Sequence, residues 1–177
     1  NWMRLLRKNL AMDLEIIDDF LPNNQFQSIE RTLMGDWFPW YYNPYVVHKG
    51  EKYGKSQFTH VFFSCDPPWN GKKSESFDLL MPCIQKLKCI GLHRIKANLT
   101  QRTVFHRKPK YHIDVKNMLT AIFYINTCNG YTRFKGGPNV KSVANRMVIF
   151  DSNLQHSGVT CTNDRIRVVV NFNFVRA

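Results

Sequence analysis

The chain has 177 residues, 44% of them hydrophobic and 14% aromatic, enough for one domain whose core needs no disulfide or metal staple. No apolar run approaches the ~20 residues of a membrane-spanning helix, and no leader of basic, apolar and small residues opens the chain, so the expectation is a soluble, cytoplasmic protein. Lys and Arg number 25 against 13 Asp and Glu, a formal charge of +12; such a surplus favours an anionic partner, nucleic acid among them, through counterion release, although a basic exterior also serves solubility alone.

Residues 1–12 are basic and apolar without a clear period and read as a helix or a loose terminus. The acidic stretch 14–20 reads as a strand that Leu21-Pro22 stops, and Asn23-Asn24 are placed to cap a helix carrying Phe26, Ile29 and Leu33, with Gly35 as its stop. Residues 38–45 set aromatics among prolines that forbid a regular interior element. Trp40 there could stack on a flat substrate, although packing at the core or its rim is the commoner use of such a ring. A strand over 59–63 leads into a turn-rich loop over 66–73.

Ser74 is a plausible cap for a helix whose stripe is Phe77, Leu80, Met81, Ile84 and Leu87, unless that helix starts at Pro82. Over 92–100, Ile95, Ala97 and Leu99 alternate with Lys96, Asn98 and Thr100, a strand with one polar face. The basic segment 102–110 reads as an exposed charged loop. Strands are then expected over 112–115, 119–125, 131–134, 147–150 and 166–174, with a turn at Gly136-Gly137-Pro138-Asn139. Short strands separated by turns imply antiparallel sheets. The five cysteines (Cys65, Cys83, Cys89, Cys128, Cys161) form no Cys-x-x-Cys pair and are odd in number, which favours free thiols in a reducing compartment.

The chemistry concentrates between Tyr111 and Asn173. Two residues apart on a strand, His112 and Asp114 point to one face, and a carboxylate in an apolar sheet is costly unless something pairs with it. A metal ion supplies that partner, and His156, after the strand over 148–150 and before a turn at Ser157-Gly158, supplies a third ligand. Two neutral imidazoles and a carboxylate on one face of an octahedron suit Fe(II) with the other face open. Each histidine taken alone is more often a satisfied strand residue than a ligand. A zinc hydrolase is disfavoured because its water would need an acidic base, and only Asp151 is close in sequence.

This His-x-Asp, distant His-x-Gly and following Arg/Asn strand resembles the 2-oxoglutarate and Fe(II)-dependent oxygenases. The segments 16–22 and 38–42 look like the openings of small members seen in phage genomes, for which the host cytoplasm would be the site of action. The resemblance implies a mainly β, double-stranded β-helix (jelly roll) fold with flanking helices over residues 1–177. It implies Fe(II), with 2-oxoglutarate and dioxygen as cosubstrates. The implied reaction releases succinate and carbon dioxide while an unactivated C–H bond is hydroxylated. The metal ligands would be His112, Asp114 and His156. An arginine on the last main strand would hold the distal carboxylate of 2-oxoglutarate; the family spacing favours Arg165 over Arg167, and strand parity does not separate them. Asn98, Tyr124 and Asn171, with Asn173 on the same face, are further candidates for cosubstrate contacts. Segment 102–110 would form the mouth, with His106, Arg107, Tyr111 and Trp40 as candidate substrate contacts. The substrate stays open between peptidyl proline, nucleic acid and small molecule, and a non-catalytic jelly-roll binding module, such as a phage structural protein, is the alternative.

Overall fold

A computed structural model describes residues 13–45 and 56–177; the segment 1–12 and what it forms lie outside the described residues. Strands are numbered in chain order: β1 (Leu14–Ile17), β2 (Tyr41–Asn43), β3 (Gln57–Ser64), β4 (Lys72–Lys73), β5 (Cys89–Gln101), β6 (Leu119–Tyr124), β7 (Tyr131–Phe134), β8 (Asn139–Lys141), β9 (Arg146–Asp151), β10 (His156–Val159) and β11 (Ile166–Arg176). Eight of them form one sheet in the order β1-β9-β6-β11-β5-β3-β2, with β4 on β3, and β10-β7-β8 form a second, three-stranded sheet. Every pairing is antiparallel. The two sheets face each other as a jelly roll, as the family resemblance implies, and the turn-punctuated strand pattern predicts their antiparallel pairing.

Period-two alternation decides what each face of the large sheet carries. On β11, Val168, Val170, Phe172 and Phe174 join Ala121 and Phe123 of β6 and Ile95 and Ala97 of β5 in one buried cluster. Helix α1 (Asn23–Leu33), through Phe26, Ile29 and Leu33, and helix α2 (Met81–Lys86), through Cys83 and Ile84, close this face. The opposite face presents Ile122, Tyr124 and Val169, which pack on Phe134 and Val140 of the small sheet and on Val148 and Phe150 of β9. Phe123 is fully buried, with the rings of Phe20 and Phe26 at 5.8 and 5.9 Å. Phe123→Ala should therefore cost about 3–5 kcal/mol of folding free energy, read as a lower urea midpoint at unchanged slope.

Several local expectations are corrected. No side-chain cap opens α1: Pro22 occupies the cap position, and Asn23 and Asn24 are already helical. Three of the four residues between Pro39 and Pro44 form a short strand, β2, at the edge of the sheet, where the prolines leave the interior pairing intact. The stripe from Phe77 is split into a 3-10 turn (Phe77–Leu80) and α2, which has proline in its first turn. Ser157 and Gly158 are not a turn but the middle of β10. His112 to Val115 is not a strand either; a single bridge pairs His112 with His156. All five cysteines are free, and among the described residues no helix is long and apolar enough to cross a membrane.

Candidate active site

Reciprocal backbone bonds, His112 N–H to His156 O and His156 N–H to His112 O, both 3.0 Å, hold the two histidines opposite one another. Their rings lie 4.7 Å apart, and one ligand atom from each of His112, Asp114 and His156 falls within 4.8 Å of the others. The same-face relation expected of His112 and Asp114 therefore holds without a regular strand. His156 Nδ1 donates to Leu154 O at 3.0 Å; a carbonyl can only accept, so Nε2 carries the lone pair. Among the described residues that buried Nε2 has no hydrogen-bond partner; His112 turns its Nε2 to Asp114 Oδ1 at 3.5 Å. An orphaned buried acceptor costs about 1–3 kcal/mol; a metal ion is the partner this donor set fits. Two imidazoles and one carboxylate with no thiolate suit Fe(II).

The Asp114 side chain is 6% exposed. Its carboxylate accepts from Asn173 Nδ2 at 3.3 Å, and Arg94 Nη2 lies 3.6 Å from its other oxygen. Asn173 in turn donates to Thr120 Oγ1 and accepts from Arg94 Nε, so it orients the carboxylate instead of reaching a cosubstrate, a correction to its expected role. Burial by itself raises the Asp114 carboxyl, but the contact with His112, the nearby His156 and Arg94 more than offset this and hold it well below the usual carboxylate range. Burial is also the main reason that His156 sits below an ordinary imidazole, which keeps it a neutral ligand near pH 7.

The triad opens into a cavity of about 480 Å³ between the sheets. Arg167, which lines the same cavity, is 4% exposed. Its Nε donates to Ser142 Oγ at 2.7 Å and its Nη2 to Thr132 Oγ1 at 3.2 Å. Tyr124, whose hydroxyl donates to the same Thr132 oxygen at 2.8 Å, lies with its ring 5.6 Å from the guanidinium carbon. Among the described residues no carboxylate pairs with Arg167. Two glycines make room for it: a Cβ on Gly130 would stand 2.6 Å from Arg167 Cδ and 2.9 Å from Val159 O, and one on Gly158 would stand 3.3 Å from Nη1. Gly130→Ala should consequently displace the arginine and destabilise the fold by about 1–3 kcal/mol, read by thermal melting.

Arg165, favoured for this position by spacing, is exposed and precedes β11, which begins at Ile166. That expectation is corrected: the shared parity of the two arginines means nothing until the strand has started. Asn98, Asn171 and Arg107 line the cavity as expected, and Asn171 Oδ1 is buried without a partner. Tyr124 stands behind Arg167 and does not line the cavity. Of the other expected mouth residues, His106 is held by Thr160 O at 2.7 Å and Tyr111 lies under Arg133. Trp40 packs edge-on to Phe38 against the core, which removes it from the mouth. Asp151 is exposed at the end of β9 and accepts from Asn153, so no zinc-site base stands there. Arg94, Thr132 and Ser142 escape the sequence reading, which places Lys96 on the polar face of β5 without a role; the same alternation extends to Arg94.

No protein-family model matches the chain, and a search of curated proteins finds no match. Solved structures do match. A 2OG-Fe(II) oxygenase family oxidoreductase from Burkholderia pseudomallei superposes with a TM-score of 0.65 at 7% identity, covering 93% of this chain and 85% of that one. A prolyl hydroxylase from Trichoplax adhaerens, solved with a hypoxia inducible factor peptide fragment, gives 0.62 at 14% identity over 91% and 83%. The fold is that of the 2-oxoglutarate and Fe(II)-dependent oxygenases. A Pseudomonas putida prolyl-4-hydroxylase shares this oxygenase fold at a TM-score of 0.54, with 18% identity over 92% of both chains. On this oxygenase fold the triad and Arg167 occupy the inside of the jelly roll, between its two sheets.

Proposed function

We propose that the protein is a 2-oxoglutarate-dependent Fe(II) oxygenase that hydroxylates a C–H bond of its substrate. The observation that carries this reading is Arg167: a buried guanidinium with no acidic partner among the described residues, in the same cavity as a two-histidine, one-carboxylate cluster in which His156 Nε2 is unpartnered. An unpaired buried charge is tolerated where a ligand completes it. Along β7 the contacts of Arg167 at Thr132 and the pairing of Phe134 with His156 are two residues apart, a separation of ~7 Å, which suits a short dicarboxylate reaching from the triad to the arginine.

In this reading His112, Asp114 and His156 hold the metal, and Asn173 and Arg94 fix the orientation of its carboxylate ligand. Arg167 holds the distal carboxylate of 2-oxoglutarate in a charge-assisted fork, kept in place by Ser142, Thr132 and Tyr124. Ile122 and Val169 line the cavity between them and exclude water from the methylene chain. Asn98 and Asn171 offer amides along the same floor. Bound Fe(II) with 2-oxoglutarate and dioxygen supplies the oxidising power that couples decarboxylation to succinate with hydroxylation. The non-catalytic alternative is not favoured, because a mere binding scaffold has no need of a buried arginine aimed past a ligand triad.

Anaerobic titration with Fe(II) and then 2-oxoglutarate should produce a weak visible charge-transfer band. Its absence while the metal is demonstrably bound would remove the reading. His112→Ala should end succinate formation.

A further inference from the structure

The alternating strand β5 carries a second set of charged groups into the cavity. Its residues Arg94, Lys96, Asn98 and Thr100 share one face and line the cavity, and they stand opposite Asn173, Asn171, Val169 and Arg167 of β11 in register. Arg94 and Lys96 are therefore one same-face step apart, ~7 Å along the strand, at the end where Arg94 touches Asp114. Arg94 is partly committed to Asn173 and Asp114. The Lys96 ammonium has no hydrogen-bond or ion-pair partner among the described residues. Opposite it, the buried Asn171 Oδ1 also lacks a partner.

Charge balance makes this pair unusual. A divalent metal and Arg167 are matched by Asp114 and the two carboxylates of 2-oxoglutarate, which leaves Arg94 and Lys96 unmatched. Among the described residues Asp114 is the one acid lining the cavity; it lies against Arg94, and one carboxylate shared with a metal does not balance both cations. The guanidinium of Arg167 reaches toward Thr132 and Ser142, on the small-sheet side, so the cosubstrate and the β5 cations occupy different walls.

We infer that Lys96, with Arg94 beside it, is an anion subsite for the primary substrate, which carries a carboxylate or phosphate close to the C–H bond that is oxidised. The inference rests on the oxygenase reading given above. Burial, and the charge of Arg94 next, push the Lys96 ammonium down to about 8; it remains mostly protonated at neutral pH, and an incoming anion would restore its ordinary value.

The test loads the protein anaerobically with Mn(II) in place of Fe(II), adds 2-oxoglutarate, and titrates inorganic phosphate or acetate while following paramagnetic broadening of the phosphorus or methyl-proton resonance. Wild type should show saturable broadening. Lys96→Gln should weaken it about tenfold or more, the loss of one charge-assisted contact, with 2-oxoglutarate affinity changed less than about threefold, and Lys96→Arg should restore the anion. The more strongly held probe assigns carboxylate or phosphate. Equal broadening in wild type and Lys96→Gln would mean that the lysine only reaches solvent, and parallel loss of 2-oxoglutarate would place it in the cosubstrate site; either result overturns the inference. Calorimetric titration of phosphate and acetate into the metal-free wild type and Lys96→Gln reads the lysine independently, so failure to bind Mn(II) or 2-oxoglutarate would sink the oxygenase reading while the Lys96 dependence is still measured.

Discussion

Arg167→Met is expected to abolish tight binding of 2-oxoglutarate while leaving the ligand-free protein at least as stable as wild type. The guanidinium is buried and no carboxylate among the described residues offsets its desolvation, and replacing such a charge by an apolar side chain of similar volume is often neutral or stabilising. Losing the ionic contact to the distal carboxylate costs about 2–5 kcal/mol, or roughly thirtyfold to several thousandfold in affinity. Calorimetry and thermal melting on the same sample read both halves. A clear fall in melting temperature with unchanged cosubstrate affinity would show that Arg167 is a structural residue and that the cavity serves something else. Arg165→Met, at an exposed position before β11, should alter 2-oxoglutarate affinity little.

Asp114→Asn keeps the shape of the side chain and removes its charge, and it should weaken metal binding by more than the ~10–100-fold typical of losing an outer-shell partner. Asn173→Leu, which removes the amide that donates to Asp114 Oδ2, should fall within that ~10–100-fold range. Metal affinity should decline as pH is lowered, because each imidazole must give up its proton to coordinate. Burial depresses His156, so proton competition at that ligand should begin on the acid side of the ordinary imidazole range. Anaerobic Mn(II) titrations across pH, followed by electron paramagnetic resonance, measure these effects. Equal affinities for wild type and Asp114→Asn would show that the carboxylate is not a ligand.

The His112 and Asp114 pair is legible in the sequence because its chemistry is local: a carboxylate two positions from a histidine in an apolar stretch needs a partner wherever the backbone goes, whereas distant His156 joins them only through the family's His-x-Gly pattern. Its setting was less so. His112 and Asp114 read as strand residues, yet one bridge at His112 does the work of a strand, and Ser157-Gly158 read as a turn although the glycine serves close approach to Arg167. The choice between Arg165 and Arg167 was beyond pattern, because both have the same parity and only the first residue of β11 separates them. Lys96 and Asn98 share one polar strand face in sequence and structure alike; alternation tells which residues share a side, and the facing small sheet turns that side into a cavity wall. Trp40 takes the packing role that is the commoner use of such a ring, and an aromatic beside prolines gives no hint that Phe38 and the core will claim it over a substrate.

The paired backbone bonds between His112 and His156 have a consequence for how the site can change. They fix the spacing of the two rings by the distance between neighbouring strands, before any ion arrives, so the metal is asked to complete a frame rather than to assemble one. The loops between the two histidines are thus free to lengthen, shorten or be exchanged without moving either nitrogen. Amide hydrogens at both positions should remain slow to exchange in metal-free protein, and new specificities could be grafted onto those loops while the reactive centre stays where the sheets put it.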